Sequence, residues 1–457
     1  MTDSTTTIAG ALSDLSAEGI ARGIGSLVSN DRLKAGVRLP TVRELATALD
    51  VSPTTVGDAW QILRRQRVID TEGRRGSFVR SRNAGPSIRY WSVPTTGDAI
   101  KHDLCSGVPD AGLLPNPLAA ITQLDESPAV ASYLDRPVVS ELEDLLRTRW
   151  PFTPEKITML NGAMDALDRL IAAMVTIGDK VGISDPGFPP LFDMLDLAGA
   201  ETLPIPLDDE GLEPDAVRTA LDAGMSLLIV QPRAHNPTGV SMSKRRRDEL
   251  ATLIAGRPVL VFEDDHSGDV SGTGLHSLGT LIPDQVVHVR SFSKSHGPDF
   301  RLAAVGGASE AIALVEHRRM LGPSWTSRLL QKVLFIMLSD PDTEASVNSA
   351  SGVYASRRGA VVEGLADRGV AVSGAHGLNV WVPVREEALA VPMLAAHGIG
   401  VARGRPFMLD APDQEFIRVT TSALDHNRHE TQEILDRLAE ASFGESSPFD
   451  ELNGGHR

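Results

Sequence analysis

Cysteine is almost missing from this 457-residue chain, with Cys105 its sole representative. One thiol excludes an intramolecular disulfide and leaves no thiolate cluster for zinc, which fits a reducing, cytoplasmic setting. Long apolar runs are missing too, and the N-terminus Met1-Thr2-Asp3-Ser4 lacks a basic region followed by an apolar one, so neither membrane insertion nor secretion is expected. Positive charge is in short supply, with 44 Lys and Arg against 60 Asp and Glu. The resulting net charge of -16 argues, taken alone, against a nucleic-acid partner.

Its distribution reverses that inference. Residues 1–82 carry 12 Lys and Arg against 9 Asp and Glu, with the positive charge gathered in Arg64, Arg65, Arg67, Arg74, Arg75, Arg80 and Arg82. A small phosphate-contacting module on an acidic body is the expected arrangement. An apolar fraction of 42% and a charged fraction of 23% are ordinary for a globular protein, and the length predicts two domains.

In the first module, Ile20, Ile24, Leu27 and Val28 recur at helical spacing. Thr41-Val42-Arg43-Glu44 has the form of a capping box that starts a helix through Leu49. Ser52 is a good N-cap and Pro53 suits a first helical turn, so a third helix is expected from Pro53 towards Gln66. Two short helices joined by a tight turn make a helix-turn-helix, whose second helix would present Thr54, Thr55 and Asp58 to a major groove. Val68-Ile69-Asp70 and Ser77-Phe78-Val79 read as strands about a turn carrying Arg74 and Arg75, a wing whose tip reaches phosphates or a narrow minor groove. Residues 83–102, rich in turn formers, read as a linker.

Strands and helices alternate over residues 103–440, which predicts an α/β domain with a largely parallel sheet, followed by a polar, turn-rich tail at 441–457. The apolar runs 226–230 and 259–262 look like strands buried on both faces. They end just before Pro232-Arg233-Ala234-His235-Asn236-Pro237-Thr238-Gly239 and within Glu263-Asp264-Asp265-His266, at the strand ends where ligands of such sheets bind. A third segment, Ser291-Phe292-Ser293-Lys294 with Arg301 beyond it, completes a set that pyridoxal 5'-phosphate (PLP) demands. Lys294 is the amine for a Schiff base, Asp264 the carboxylate for the pyridine nitrogen, and Asn236 the donor for the phenolate oxygen. Arg301, the Ser291 and Ser293 hydroxyls and the amides of the turn Asn161-Gly162-Ala163 are candidates for the phosphate. Phe188 is a candidate to stack on the ring, or core. His235 and His296 read as structural, and Lys244-Arg245-Arg246-Arg247 as a solvated helix face.

The segments Arg38-Leu39-Pro40-Thr41-Val42-Arg43-Glu44-Leu45-Ala46, Val51-Ser52-Pro53-Thr54-Thr55-Val56 and Gly76-Ser77-Phe78-Val79 resemble the winged-helix domain of GntR-type regulators. Residues 103–440 resemble fold-type I aminotransferases, and the combination resembles the MocR-type subgroup of GntR regulators. The wording Pro-Arg-Ala-His-Asn-Pro-Thr-Gly with Glu-Asp-Asp-His is similar to a branch linked to vitamin B6 salvage. The resemblance implies an N-terminal winged helix-turn-helix fused to an aminotransferase-like PLP domain, a homodimer, operator DNA as partner, and PLP or an amino compound as effector. DNA contacts fall to Arg43, Thr54, Thr55, Arg74 and Arg75. By the same resemblance, Tyr133 matches the tyrosine that reaches the partner subunit's phosphate, and Arg418 the arginine that clamps a substrate carboxylate. His266 stands where many relatives place a tyrosine that bonds the phenolate. The alternative is a working aminotransferase whose N-terminal domain is vestigial or dimerising.

Overall fold

A computed structural model describes residues 3–12, 14–30, 32–65, 68–71, 76–80, 89, 100–124, 135–410, 412–424 and 428–443. The chain divides into two compact units, Met1–Ser87 and Ile88–Arg457. Among the described residues, no helix is long and apolar enough to cross a membrane.

The smaller unit has helices at Asp3–Ala9, Ala17–Ser29, Val42–Leu49 and Pro53–Arg65, then an antiparallel pair of strands, Ile69–Thr71 and Ser77–Val79. The Thr41 hydroxyl accepts from the Glu44 N–H and the Glu44 carboxylate from the Thr41 N–H, the reciprocal cap expected of that sequence. Ser52 caps the next helix through the Thr55 N–H at 3.0 Å. Ile20, Ile24, Leu45, Val56 and Leu63, all fully buried, form the centre of the core, each worth about 1.5–3 kcal/mol of burial. The first helix was not foreseen: its Ile8 is also fully buried in this core.

The larger unit is built on a seven-stranded sheet in the order Lys156–Leu160, Ala303–Gly307, Val286–Ser291, Leu260–Asp265, Leu227–Val230, Lys180–Ser184 and Glu201–Ile205. Ala303–Gly307 runs antiparallel to both neighbours, and the remaining pairs are parallel. Leu227–Val230 is buried throughout, as a strand covered on both faces must be. A second, four-stranded sheet joins Asn379–Val384, Glu415–Thr420, Ile399–Arg403 and His102–Leu104.

Several expectations need correcting. Arg89, within the stretch read as linker, is pinned to the larger unit: its Nη1 lies 2.9 Å from Asp193 and its Nη2 2.8 Å from Asp196. The last described helix, Arg428–Phe443, continues past residue 440, so the tail begins later. The basic run is a solvated face only in part, since Lys244 and Arg245 are exposed whereas Arg246 is buried. Arg246 turns inward, with its Nη2 2.6 Å from Asp208 and its Nη1 donating to the carbonyls of Gly211 and Leu212, because the strand pair 207–212 leaves those acceptors beneath the helix.

Candidate functional site

The parallel strands bring their carboxyl ends to one edge of the seven-stranded sheet, and the antiparallel strand begins there. Gln231 follows one strand, Asp264 nearly ends the next, Ser291 ends the third, Asn161-Gly162 follows Lys156–Leu160, and Arg301 precedes Ala303–Gly307. Residues far apart in sequence therefore converge at the edge where α/β sheets hold ligands.

Asp264 is the centre of the constellation. Its side chain is buried, Gln231 Nε2 donates to its Oδ2 at 2.8 Å, and its Oδ1 has no hydrogen-bond partner among the described residues. Burial pushes this carboxyl up to about 6, opposed by the Gln231 hydrogen bond and the charge of Lys294. Gln231 was not singled out from the sequence, yet its carbonyl also accepts from the Asn236 N–H at 2.8 Å. One amide thus fixes both the acid and the loop that carries Asn236. Its position directly after a buried strand and directly before Pro232 was the available signal.

The Asn236 carbonyl oxygen accepts from Arg418 Nη1 at 3.2 Å and from Asn379 Nδ2 at 3.5 Å, so the amide NH2 is the end left to donate. Arg418 is fully buried on strand Glu415–Thr420, donates also to the Cys105 carbonyl, and lies over the Phe407 ring at 5.0 Å. The structure therefore joins Arg418 to the site.

Burial brings the Lys294 amine down to about 8, against the opposing charge of Asp264. Its Nζ is 2.9 Å from His266 Nδ1. The other ring nitrogen, Nε2, faces the Ala234 carbonyl at 2.9 Å, and a carbonyl can only accept. The proton is therefore assigned to Nε2, and Nδ1 is the acceptor for Lys294. Burial, then the charge of Lys294, holds this imidazole well below its ordinary range. His266 consequently has no ring N–H left to donate to a cofactor oxygen, because that proton is spent on Ala234.

The residues expected to hold the phosphate also converge. Gly162, at φ +94°, precedes helix Ala163–Met174, whose first amides have no helical acceptor. A Cβ built on Gly162 would lie 3.4 Å from the Arg301 guanidinium, so that guanidinium covers the helix start. The Asn161 N–H is already given to Asp165 at 3.0 Å, which leaves the amides from Gly162 onward. The Ser291 hydroxyl accepts from the Ser293 N–H at 3.3 Å. Phe188 is half-buried and packs against the core. His235 is held between Ser184 and Thr238, and the His296 ring lies beside the Ser295 hydroxyl. Tyr133, Arg74 and Arg75 lie outside the described residues.

These residues fit PLP. The orphaned Asp264 oxygen matches a protonated pyridine nitrogen, the Asn236 amide a phenolate oxygen, Lys294 an aldehyde, and the Gly162-Arg301 end a phosphate. In the smaller unit, Arg43 and Thr54 are exposed, whereas Thr55 is half-buried with its hydroxyl 2.8 Å from that of Ser52. Thr55 therefore serves the cap, and Thr54 and Asp58 lie on the exposed face.

Comparison with known proteins agrees with both units. The family model for aminotransferase class I and II matches residues 99–438, and that for bacterial regulatory proteins of the gntR family matches residues 20–79. The vitamin B6 salvage pathway transcriptional repressor PtsJ of Salmonella typhimurium is 34% identical over 405 residues, covering 87% of this chain and 92% of PtsJ. The HTH-type pyridoxine biosynthesis transcriptional regulator PdxR of Corynebacterium glutamicum is 26% identical over 369 residues, covering 75% and 77%. Among solved structures, kynurenine aminotransferase of Pyrococcus horikoshii superposes with a TM-score of 0.69 at 21% identity, over 77% of this chain and 92% of that one. The α-aminoadipate aminotransferase LysN of Thermus thermophilus gives 0.67 at 23% identity, over 76% and 93%. At those identities the likeness is one of fold.

Proposed function

Because the chain belongs to the GntR-type transcriptional regulators of the MocR subgroup, whose effector domain has the aminotransferase class I and II fold, we propose that its larger unit binds PLP and uses it to sense PLP itself or an amino compound. The observation that carries this reading is the buried Asp264, whose Oδ1 lacks a partner while Gln231 ties its Oδ2 to the loop of Asn236. An orphaned carboxylate oxygen is costly unless a donor arrives, and a pyridinium N–H is such a donor.

When bound, PLP supplies an aldehyde that condenses reversibly with primary amines. Lys294 Nζ is the chain's own amine for it, kept partly neutral near pH 7 by burial. An incoming amino compound competes with that amine, and Arg418, held by Asn236 and Cys105, receives its carboxylate. Differential binding of this kind needs no turnover to shift a regulator between states. The names of PtsJ and PdxR, which tie those proteins to vitamin B6 salvage and pyridoxine biosynthesis, support PLP as at least part of the signal. In this reading two chains form the operator-binding unit, with Arg43, Thr54 and the wing facing DNA.

The test is binding of the full-length protein to DNA from immediately upstream of its own gene, at fixed salt, with cofactor-free protein and after reloading with PLP. A change in affinity or footprint is expected on reloading. Identical operator binding by cofactor-free, PLP-loaded and amine-exposed protein would remove the sensing role.

A further inference from the structure

The run Glu263-Asp264-Asp265-His266 contains more ionisable groups than the cofactor site uses. Side chains alternate along a strand, so Asp264 faces Lys294 while Glu263 and Asp265 face the back of the sheet. The adjacent strand places His288 opposite Glu263 and Arg290 opposite Asp265. Four ionisable side chains, each at most 8% exposed, thus share one face at the middle of the sheet, where apolar groups are the inexpensive choice.

Most of this charge is matched. Arg233 grips Asp265 with two hydrogen bonds of 2.7 Å, and Arg290 holds Asp269 at 2.8 and 3.0 Å. His288 is different. Its Nδ1 lies 2.8 Å from a Glu263 oxygen, which can only accept, so Nδ1 is the donor and Nε2 is the acceptor whenever the ring carries a single proton. That Nε2 is buried, has no hydrogen-bond partner among the described residues, and sits 3.9 Å from Asp265 Oδ2.

His288 lines a cavity of about 590 Å³, together with Asp265, Arg233, Arg290, Arg149 and Glu344. None of Lys294, Asp264, Asn236, Arg301 or Arg418 lines it. Its size suits a small metabolite. Arg149, partly exposed at its rim, has Glu344 as its ion-pair partner only at 3.9 Å. The cavity therefore sets an unpartnered imidazole nitrogen beside a carboxylate already bound by Arg233, and a loosely engaged guanidinium elsewhere on its lining.

We propose that this cavity is a second ligand site, separate from the cofactor pocket, for a compact zwitterionic amino compound. Its ammonium is received by His288 Nε2 and the Asp265 carboxylate, and its acid group by Arg149. The two sites adjoin through the chain: Asp265 stands between Asp264 and His266, and Arg233 precedes Ala234, whose carbonyl holds the His266 ring. The inference does not depend on PLP binding.

Calorimetric titration of full-length, cofactor-free protein with the twenty common amino acids, one at a time, tests it. At least one should bind saturably. That binding should persist in Lys294→Ala and weaken at least tenfold in both His288→Phe and Arg149→Met. Arg149→Met alters a rim residue, so it keeps the test decisive if the buried His288 substitution impairs folding. Absence of saturable binding by every amino acid, or binding that Arg149→Met leaves unchanged, overturns the proposal.

Discussion

His266 Nδ1 accepts from the Lys294 amine at 2.9 Å while His266 Nε2–H donates to the Ala234 carbonyl. The imidazole is thereby locked in one tautomer, with its lone pair aimed at the lysine. A hydrogen bond from an ammonium is stronger than one from a neutral amine, so this acceptor favours the protonated lysine. Replacing it should bring the amine lower still. For His266→Phe, the midpoint of Lys294 modification by an amine reagent in cofactor-free protein should move from about 8 downward by roughly one pH unit, the size of the difference between a charged and a neutral hydrogen bond. In the unaltered protein, modification should rise with pH and level off above about 8 instead of climbing past 10. An unchanged midpoint in the variant would remove His266 from control of the lysine.

Asp264 is a liability for the cofactor-free protein. Burial raises its carboxyl from 3.8 to about 6, so the folded state binds more protons than the unfolded one across that interval. The sign follows: the stability associated with the protonated acid is complete below pH 3.8 and is lost as pH rises through about 6. At neutral pH the cost is on the order of 2–3 kcal/mol. Asp264→Asn should therefore raise the thermal midpoint of the cofactor-free protein at pH 7 and flatten its dependence between pH 4 and 6. The same variant should lose most of its affinity for PLP, measured by absorbance titration. A function residue whose removal stabilises the apo fold is the expected signature of a site arranged for a ligand.

Gly162 allows two independent costs to be introduced at once. At φ +94° any other residue is strained, and an added Cβ would meet the Arg301 guanidinium at 3.4 Å. Gly162→Ala should weaken PLP binding about tenfold or more, equivalent to at least about 1.4 kcal/mol. Binding of pyridoxal, which lacks the phosphate, should barely change. Equal losses for the two compounds would mean that the helix start does not hold the phosphate.

In the DNA-binding unit, Arg43 is exposed on the first helix of the helix-turn-helix. As a phosphate contact, it should contribute to affinity without contributing to sequence choice. Arg43→Ala should weaken specific and non-specific DNA binding alike and reduce the slope of log affinity against log salt by about one. A loss confined to one operator sequence would assign Arg43 to base reading instead.

What the sequence disclosed followed the range of the signal. The Thr41 to Glu44 cap and the Ser52 cap were legible because each is a local hydrogen-bonding device spanning three residues. Lys294, Asp264, Asn236 and Arg301 were legible because each stands in a short motif with a chemical reason for its residue type. The helix Asp3–Ala9 was not, since three threonines conceal it and only Ile8 reveals a tertiary anchor. The inward turn of Arg246 was equally hidden, because its partner Asp208 and the carbonyls it satisfies are 34 to 38 residues away. The acceptor role of His266 depends on the left-handed Ala234, φ +49°, presenting its carbonyl to the ring, and no pattern of residue types encodes that.

Gln231 was the largest omission and gives the sharpest check on how the site is held. Its Nε2 donates to Asp264 and its Oε1 accepts from the Asn236 N–H, both at 2.8 Å, so one buried amide sets the spacing of the two groups proposed to meet the pyridine nitrogen and the phenolate oxygen. Gln231→Leu keeps the volume but leaves a second Asp264 oxygen without its donor and frees the Asn236 loop. Each lost partner leaves a buried polar group at about 1–3 kcal/mol. The carboxyl of Asp264 should rise further, since the hydrogen bond that lowers it is gone. PLP affinity should then fall about tenfold or more at pH 7 and partly recover towards pH 9, where the acid ionises again. Gln231→Glu separates the two functions: a second carboxyl can still accept from Asn236 yet repels Asp264, so it should preserve the loop and lose the cofactor. If Gln231→Leu binds PLP as tightly as the unaltered protein across this pH range, Asp264 is positioned by its strand alone and the amide bridge is dispensable.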